Sequence, residues 1–112
     1  MILQIISNIN SFSISLYCII CIGIPEREII DGQEKLYNTC LFINSEGDIV
    51  GKHRKVHLFD IDVPGKIKFK ESDSLSAGDK VTVVKTPWGG VGVGICYDIR
   101  FPELALLMRK NG

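Results

Sequence analysis

An excess of positive charge is missing from this sequence. Its 112 residues carry 13 Lys and Arg against 13 Asp and Glu, a formal net charge of zero. That balance leaves no electrostatic footprint for nucleic acid or for an anionic membrane surface. Residues 1–25 lack side-chain charge altogether, and Glu26 is the first ionised side chain. A membrane-length apolar run is missing too, because Gln4, Ser7, Asn8, Asn10, Ser11, Ser13 and Ser15 interrupt this segment. A spanning helix needs about 20 mostly apolar residues. The basic start and small-residue cleavage site of a secretory signal are not seen either. Residues 1–15 form an unassigned apolar segment, Ile-rich and punctuated by Ser, which suits strand better than helix.

Metal-ligating residues are scarce. There are two histidines and four cysteines, Cys18, Cys21, Cys40 and Cys96. Cys18 and Cys21 make a C-x-x-C, but the second ligand pair of a zinc site is missing, and no proline or tryptophan flanks the motif as in redox proteins. No metal and no organic cofactor is implied. Free thiols fit a reducing compartment, cytoplasmic or mitochondrial, better than a disulfide framework. Low-complexity tracts and repeats are lacking. What remains is an ordinary globular composition, 46% hydrophobic and 23% charged, at the length of one small domain.

Leu16–Ile24 reads as a strand buried on both faces, closed by Pro25. Residues 26–35 are charged and loop-like, with Asp31-Gly32 as a turn signal. Leu36–Asn44 and Ile49–Leu58 read as a hairpin around Ser45-Glu46-Gly47-Asp48. Residues 59–79 read as a long loop, of the kind that is usually functional. Val81–Thr86 and Val91–Ile95 predict a second hairpin around Pro87-Trp88-Gly89-Gly90. Phe101–Asn111 is the one convincing helix. Pro102 and Glu103 suit its first turn, and Arg109 and Lys110 its last. With one helix to cover its buried strands, the chain is expected to expose apolar surface.

Two stretches carry chemistry. The first is Gly92-Val93-Gly94-Ile95-Cys96-Tyr97-Asp98-Ile99-Arg100-Phe101-Pro102-Glu103, which sets a thiol at the end of a strand and close to the start of a helix. Cys96 is a nucleophile in this position, or else a buried packing cysteine. The second is Lys52-His53-Arg54-Lys55-Val56-His57. Strand alternation puts His53, Lys55 and His57 on one face and Lys52, Arg54 and Val56 on the other. Either this is a solvated edge strand, or Lys55 points inward, where an ammonium needs a partner. Glu71, taken alone, is an ordinary loop carboxylate. The glycines of residues 89–94 fail as a dinucleotide fingerprint, because no helix follows them directly.

Together, the run GKHRKVHLFDIDVPGK around Lys52–Asp60, the segment Phe69–Ser72 and the run GVGICYDIRFPE at Gly92–Glu103 resemble the nitrilase superfamily of carbon–nitrogen hydrolases. Leu36-Tyr37-Asn38-Thr39-Cys40 and HLFDIDVPGK look most like its omega-amidase branch, which hydrolyses 2-oxoglutaramate and 2-oxosuccinamate. The resemblance covers roughly residues 16–112 and implies part of an α/β fold, a four-layer αββα sandwich. It implies that Cys96 is the nucleophile, Lys55 the lysine of a Glu–Lys–Cys triad, and Glu71 an additional glutamate orienting that lysine. The N–H of Tyr97 would join Lys55 in stabilising the oxyanion. The substrate would be a small-molecule amide, with two copies pairing as a homodimer. The triad's base glutamate has no match: Glu26, in Gly23-Ile24-Pro25-Glu26, lies on a segment resembling a later strand. The chain is accordingly expected to be a fragment with negligible turnover, or a pseudo-enzyme acting as an interaction module.

Overall fold

A computed structural model describes residues 18–112. The expectations for residues 1–15, and the first two residues of the strand expected at Leu16–Ile24, lie outside the described residues. The described residues form a three-stranded antiparallel sheet, two further hairpins and one α-helix.

Strands β1 (Ile20–Ile30) and β2 (Gln33–Ile43) are joined by the two-residue turn Asp31-Gly32. Both turn residues have positive φ, 51° and 77°, which matches the twist that a tight hairpin requires. Strand β3 (Ile49–Arg54) lies on the other side of β2, so the order is β1-β2-β3. The charged segment expected to loop at residues 26–35 is instead strand on both sides of that turn. Two physical reasons account for this. β1 is an edge strand within its sheet, where Pro25 can lack a ladder donor. The charges also find partners across the sheet. Glu26 receives Lys52 Nζ at 2.8 Å, Arg54 Nη2 at 2.6 Å and the Thr39 hydroxyl at 2.6 Å, and Glu28 lies 2.8 Å from Arg54 Nη2. The Arg54 guanidinium also stands 3.9 Å over the Tyr37 ring. β1 alternates half-buried and exposed along its length, so it is not buried on both faces.

The hydrogen bond from Arg54 is the main reason that the Glu26 carboxyl drops to about 2; burial opposes it, and Lys52 and Thr39 add to it. A depressed carboxylate contributes stability above its unfolded value and loses it as pH falls through the folded one. The stabilisation from this network should therefore disappear between about pH 4.5 and pH 2. Thermal melts across that range should show a shallower acid limb in Glu26→Gln than in the natural sequence.

The opposite face of the sheet holds the core. Cys40, Phe42 and Val84 are buried together, with Ile19, Val93 and Ile95 packed against them. Gly51 permits this approach, since a Cβ there would overlap the Val84 side chain. Strand β3 stops at Arg54, short of the expected Leu58. The expected loop at 59–79 contains a hairpin, β4 (Asp60–Val63) and β5 (Ile67–Lys70), turning at Pro64-Gly65-Lys66 with Gly65 at φ 72°. Strands β6 (Val83–Thr86) and β7 (Gly89–Gly92) form the remaining hairpin. β7 is exposed throughout and is displaced from the expected Val91–Ile95; Val93 and Ile95 follow it as half-buried chain. The helix α1 spans Pro102–Lys110, with Leu104 buried. Ile99 is 87% exposed and Leu106 68%, so the expected apolar surface is present around α1. No helix of the described residues is long and apolar enough to cross a membrane.

Candidate active site

Lys55 follows directly on β3, and its backbone is held from two sides. Its N–H donates to the Asn38 carbonyl at 2.8 Å, and its own carbonyl accepts from Gly78 N–H at 2.7 Å. Gly78 is required at that approach, because a Cβ would come within 2.7 Å of Arg54 Cβ. The Lys55 side chain points inward and is 3% exposed. Its Nζ lies 2.5 Å from Glu71 Oε2. The solvated-edge reading of this stretch therefore fails at Lys55, and also at His53, which is buried.

Glu71 opens a single 3-10 turn, Glu71–Asp73, directly after β5. The same Oε2 accepts the Phe59 N–H at 2.7 Å, and Glu71 N–H returns a bond to the Phe59 carbonyl at 3.2 Å. One residue on, Ser72 N–H and hydroxyl donate to Asp60 at 3.0 and 2.6 Å. The carboxylate is thus fixed by backbone on its own side and by an ammonium on the other. A buried ion pair of this kind persists only when its remaining hydrogen bonds are satisfied.

Cys96 ends the chain segment running from β7 and opens a 3-10 turn, Cys96–Arg100. Its φ is 49°, the left-handed region that L-residues enter at a cost. The residue is exposed and lines a hollow of about 360 Å³ with Gly94, Asp98, Ile99, Leu104 and Met108. Lys55 and Glu71 meet each other as expected, but they do not line that hollow.

The bridge between the two halves is Asp98, which the sequence reading left without a role. It is 3% exposed. Its Oδ1 accepts the His57 N–H and faces His57 Nδ1, both at 2.8 Å, and its Oδ2 accepts the Ile95 N–H at 2.8 Å. His53 Nε2 stands 3.6 Å from Oδ2, and His53 Nδ1 lies 3.0 Å from the Thr82 hydroxyl. Burial raises the Asp98 carboxyl, but the bonds from Ile95 and His57 outweigh it and hold the group below the ordinary carboxylate range. A ladder of rings makes a second bridge. Phe59, which holds Glu71, meets the Tyr97 ring edge-on at 5.0 Å; Tyr97 meets Phe101 at 5.4 Å; and Phe101 stacks on His57 at 3.6 Å. The lysine segment and the cysteine turn are therefore fixed to each other by one carboxylate and by one run of aromatics. Among the described residues, no group of three or more His, Cys, Asp or Glu is placed to hold a metal ion.

An exposed thiol on a left-handed turn, joined through Asp98 to the segment that carries a buried lysine–glutamate pair, is placed to act as a nucleophile. Over 90 residues the chain is 58% identical to an omega-amidase of Xenopus tropicalis, which covers 80% of this chain and 31% of the relative. An omega-amidase of Saccharomyces cerevisiae is 47% identical over 110 residues, covering 97% of this chain and 36% of the relative. The chain thus spans roughly a third of the length of these relatives. In three dimensions it superposes on the Caenorhabditis elegans NitFhit protein with a TM-score of 0.82 at 35% identity, covering 96% of this chain and 26% of that one. The carbon-nitrogen hydrolase family profile matches residues 6–112, and the chain belongs to that family.

Proposed function

We propose that this chain carries the nucleophile and the oxyanion-stabilising lysine of an omega-amidase-like hydrolase. Cys96 attacks the carboxamide carbon of a small 2-oxo dicarboxylic acid monoamide, 2-oxoglutaramate or 2-oxosuccinamate. Lys55 and the Tyr97 N–H stabilise the resulting oxyanion, a type of contribution usually worth about 3–4 kcal/mol per donor. Ammonia departs, and water releases the acyl group from Cys96 as the dicarboxylate. Glu71 holds the Lys55 ammonium in place. The observation that carries this reading is the buried Lys55–Glu71 pair, joined by Phe59 and Asp98 to the cysteine turn. We treat residues 16–112 as the partial hydrolase domain. Pairing as a homodimer and a cytoplasmic or mitochondrial location belong to the same proposal.

The proton acceptor for the thiol is not assigned to any carboxylate of this chain. Glu71 Oε2 is engaged by Lys55 and Phe59, and both Asp98 oxygens accept backbone N–H groups. Glu26 sits in its own network with Arg54 and Lys52. General base catalysis typically contributes about 10²–10⁴-fold, so turnover by these residues alone should be slower by that factor. Purified protein incubated with 2-oxoglutaramate should show an acyl adduct on Cys96 by mass spectrometry, with matching ammonia release. Cys96→Ala should show neither. Adduct formation on another cysteine, or ammonia release that survives Cys96→Ala, would overturn the assignment. Absence of any adduct would favour the interaction-module reading.

A further inference from the structure

Cys18, Cys21 and Cys40 have no part in this chemistry. Cys21 lies on β1 and Cys40 on β2, and their Sγ atoms are 3.0 Å apart. The register explains the meeting. Cys21 pairs with Phe42 and Gly23 with Cys40, so the two cysteines share a face on a cross-strand diagonal. Their environments differ sharply. Cys21 is exposed, whereas Cys40 is buried in the core beside Phe42 and Val84. The sequence motif suggests a different partner for Cys21, namely Cys18 three residues earlier, but the fold presents Cys40 to it.

We propose that Cys21 and Cys40 form a thiol–disulfide switch, closed by a small-molecule disulfide of the glutathione type. The exposed Cys21 thiolate attacks one sulfur of the oxidant, forming a mixed disulfide and expelling one glutathione thiolate. Cys40 then attacks Cys21 Sγ, forms the intramolecular bond, and expels the second glutathione thiolate, which takes the Cys40 proton. Two protein thiols are oxidised to one disulfide, and one oxidised glutathione is reduced to two thiols. The buried member is the slower partner. Burial, with Cys21 beside it, pushes the Cys40 thiol up to about 12, so little thiolate is present there. Closure also has a route toward the cysteine turn, since Cys40 is the register partner of His53, whose ring stands beside Asp98. The switch stands independently of the hydrolase chemistry.

Protein treated with oxidised glutathione, alkylated and digested should yield a Cys21–Cys40 cross-linked peptide in which Cys18 is alkylated. Dithiothreitol should restore both thiols. Cys40→Ser should stop at a glutathione adduct on Cys21, which isolates the first step. Cys21→Ser, a change at an exposed position, should leave Cys40 without adduct or cross-link. A Cys18–Cys21 cross-link, a stable glutathione adduct on Cys21 in the natural sequence, or two unreacted thiols would each overturn the proposal.

Discussion

Replacing Lys55 with methionine should lower the rate of the proposed amide hydrolysis by about 10²–10³-fold, the usual loss when one oxyanion donor is removed. The same change should destabilise the fold. Lys55 is 3% exposed and its ammonium is the charged partner of Glu71, and removing one member of a buried pair typically costs about 3–5 kcal/mol. Two effects with one cause can be separated by a second substitution. In Lys55→Met with Glu71→Gln the stranded carboxylate is gone, so urea denaturation should show stability partly regained, while hydrolysis stays low. Single Glu71→Gln should lose activity by a different route, through a lysine no longer held in position. If the double variant were as active as the natural sequence, Lys55 would have no part in stabilising the oxyanion. If Lys55→Met melted unchanged, the pair would contribute nothing to the fold.

Asp98→Ala is expected to be comparably severe for stability. It strands the N–H groups of His57 and Ile95 and removes the partner of the His57 ring. Each orphaned buried donor costs about 1–3 kcal/mol, so a total loss of about 3–5 kcal/mol is expected. Asp98→Asn should not rescue it fully. An amide keeps one acceptor, but it turns its NH₂ toward a second backbone donor. Chemical denaturation gives the stability. The reactivity of Cys96 toward iodoacetamide, measured under native conditions, reports whether the cysteine turn has come loose from the lysine segment. A variant with unchanged stability and unchanged thiol reactivity would mean that the aromatic ladder alone joins the two.

Much of this architecture is legible in the text of the chain, and the failures are instructive. Pro102, Glu103, Arg109 and Lys110 mark the ends of α1 to within a residue, because capping and dipole preferences act locally. Asp31-Gly32 marks its turn for the same reason. The strand run Pro25-Glu26-Arg27-Glu28 was unreadable locally, because its charges are satisfied by Lys52 and Arg54 on a strand 26 residues away from Glu26 in the first case and 28 in the second. The β4–β5 hairpin did carry a signal. Ile61 and Val63 alternate with aspartates, and Ile67 and Phe69 with lysines, around Pro64-Gly65. The turn-forming Asp60, Asp62, Pro64-Gly65 and Gly78-Asp79 outweigh that alternation. At the candidate site, position and type leave Cys96 open between nucleophile and packing cysteine and Lys55 open between a solvated edge and an inward position; the resemblance selects both and adds Glu71. Asp98 does not stand out, since a carboxylate that joins its own turn to a segment 41 residues away looks in sequence like any surface aspartate. Its spacing of three from Ile95, the geometry of a helix-entry cap, was the one local clue.

The left-handed backbone at Cys96 reverses the usual ranking of substitutions there. Most positions lose stability when glycine replaces a residue with a Cβ, whereas at φ 49° glycine is the replacement that relieves the conformation. Stability alone would therefore favour glycine at this position, whereas the proposed nucleophile requires cysteine. With Cys96 as the proposed nucleophile, the turn is a place where the demands of folding and of reactivity are opposed.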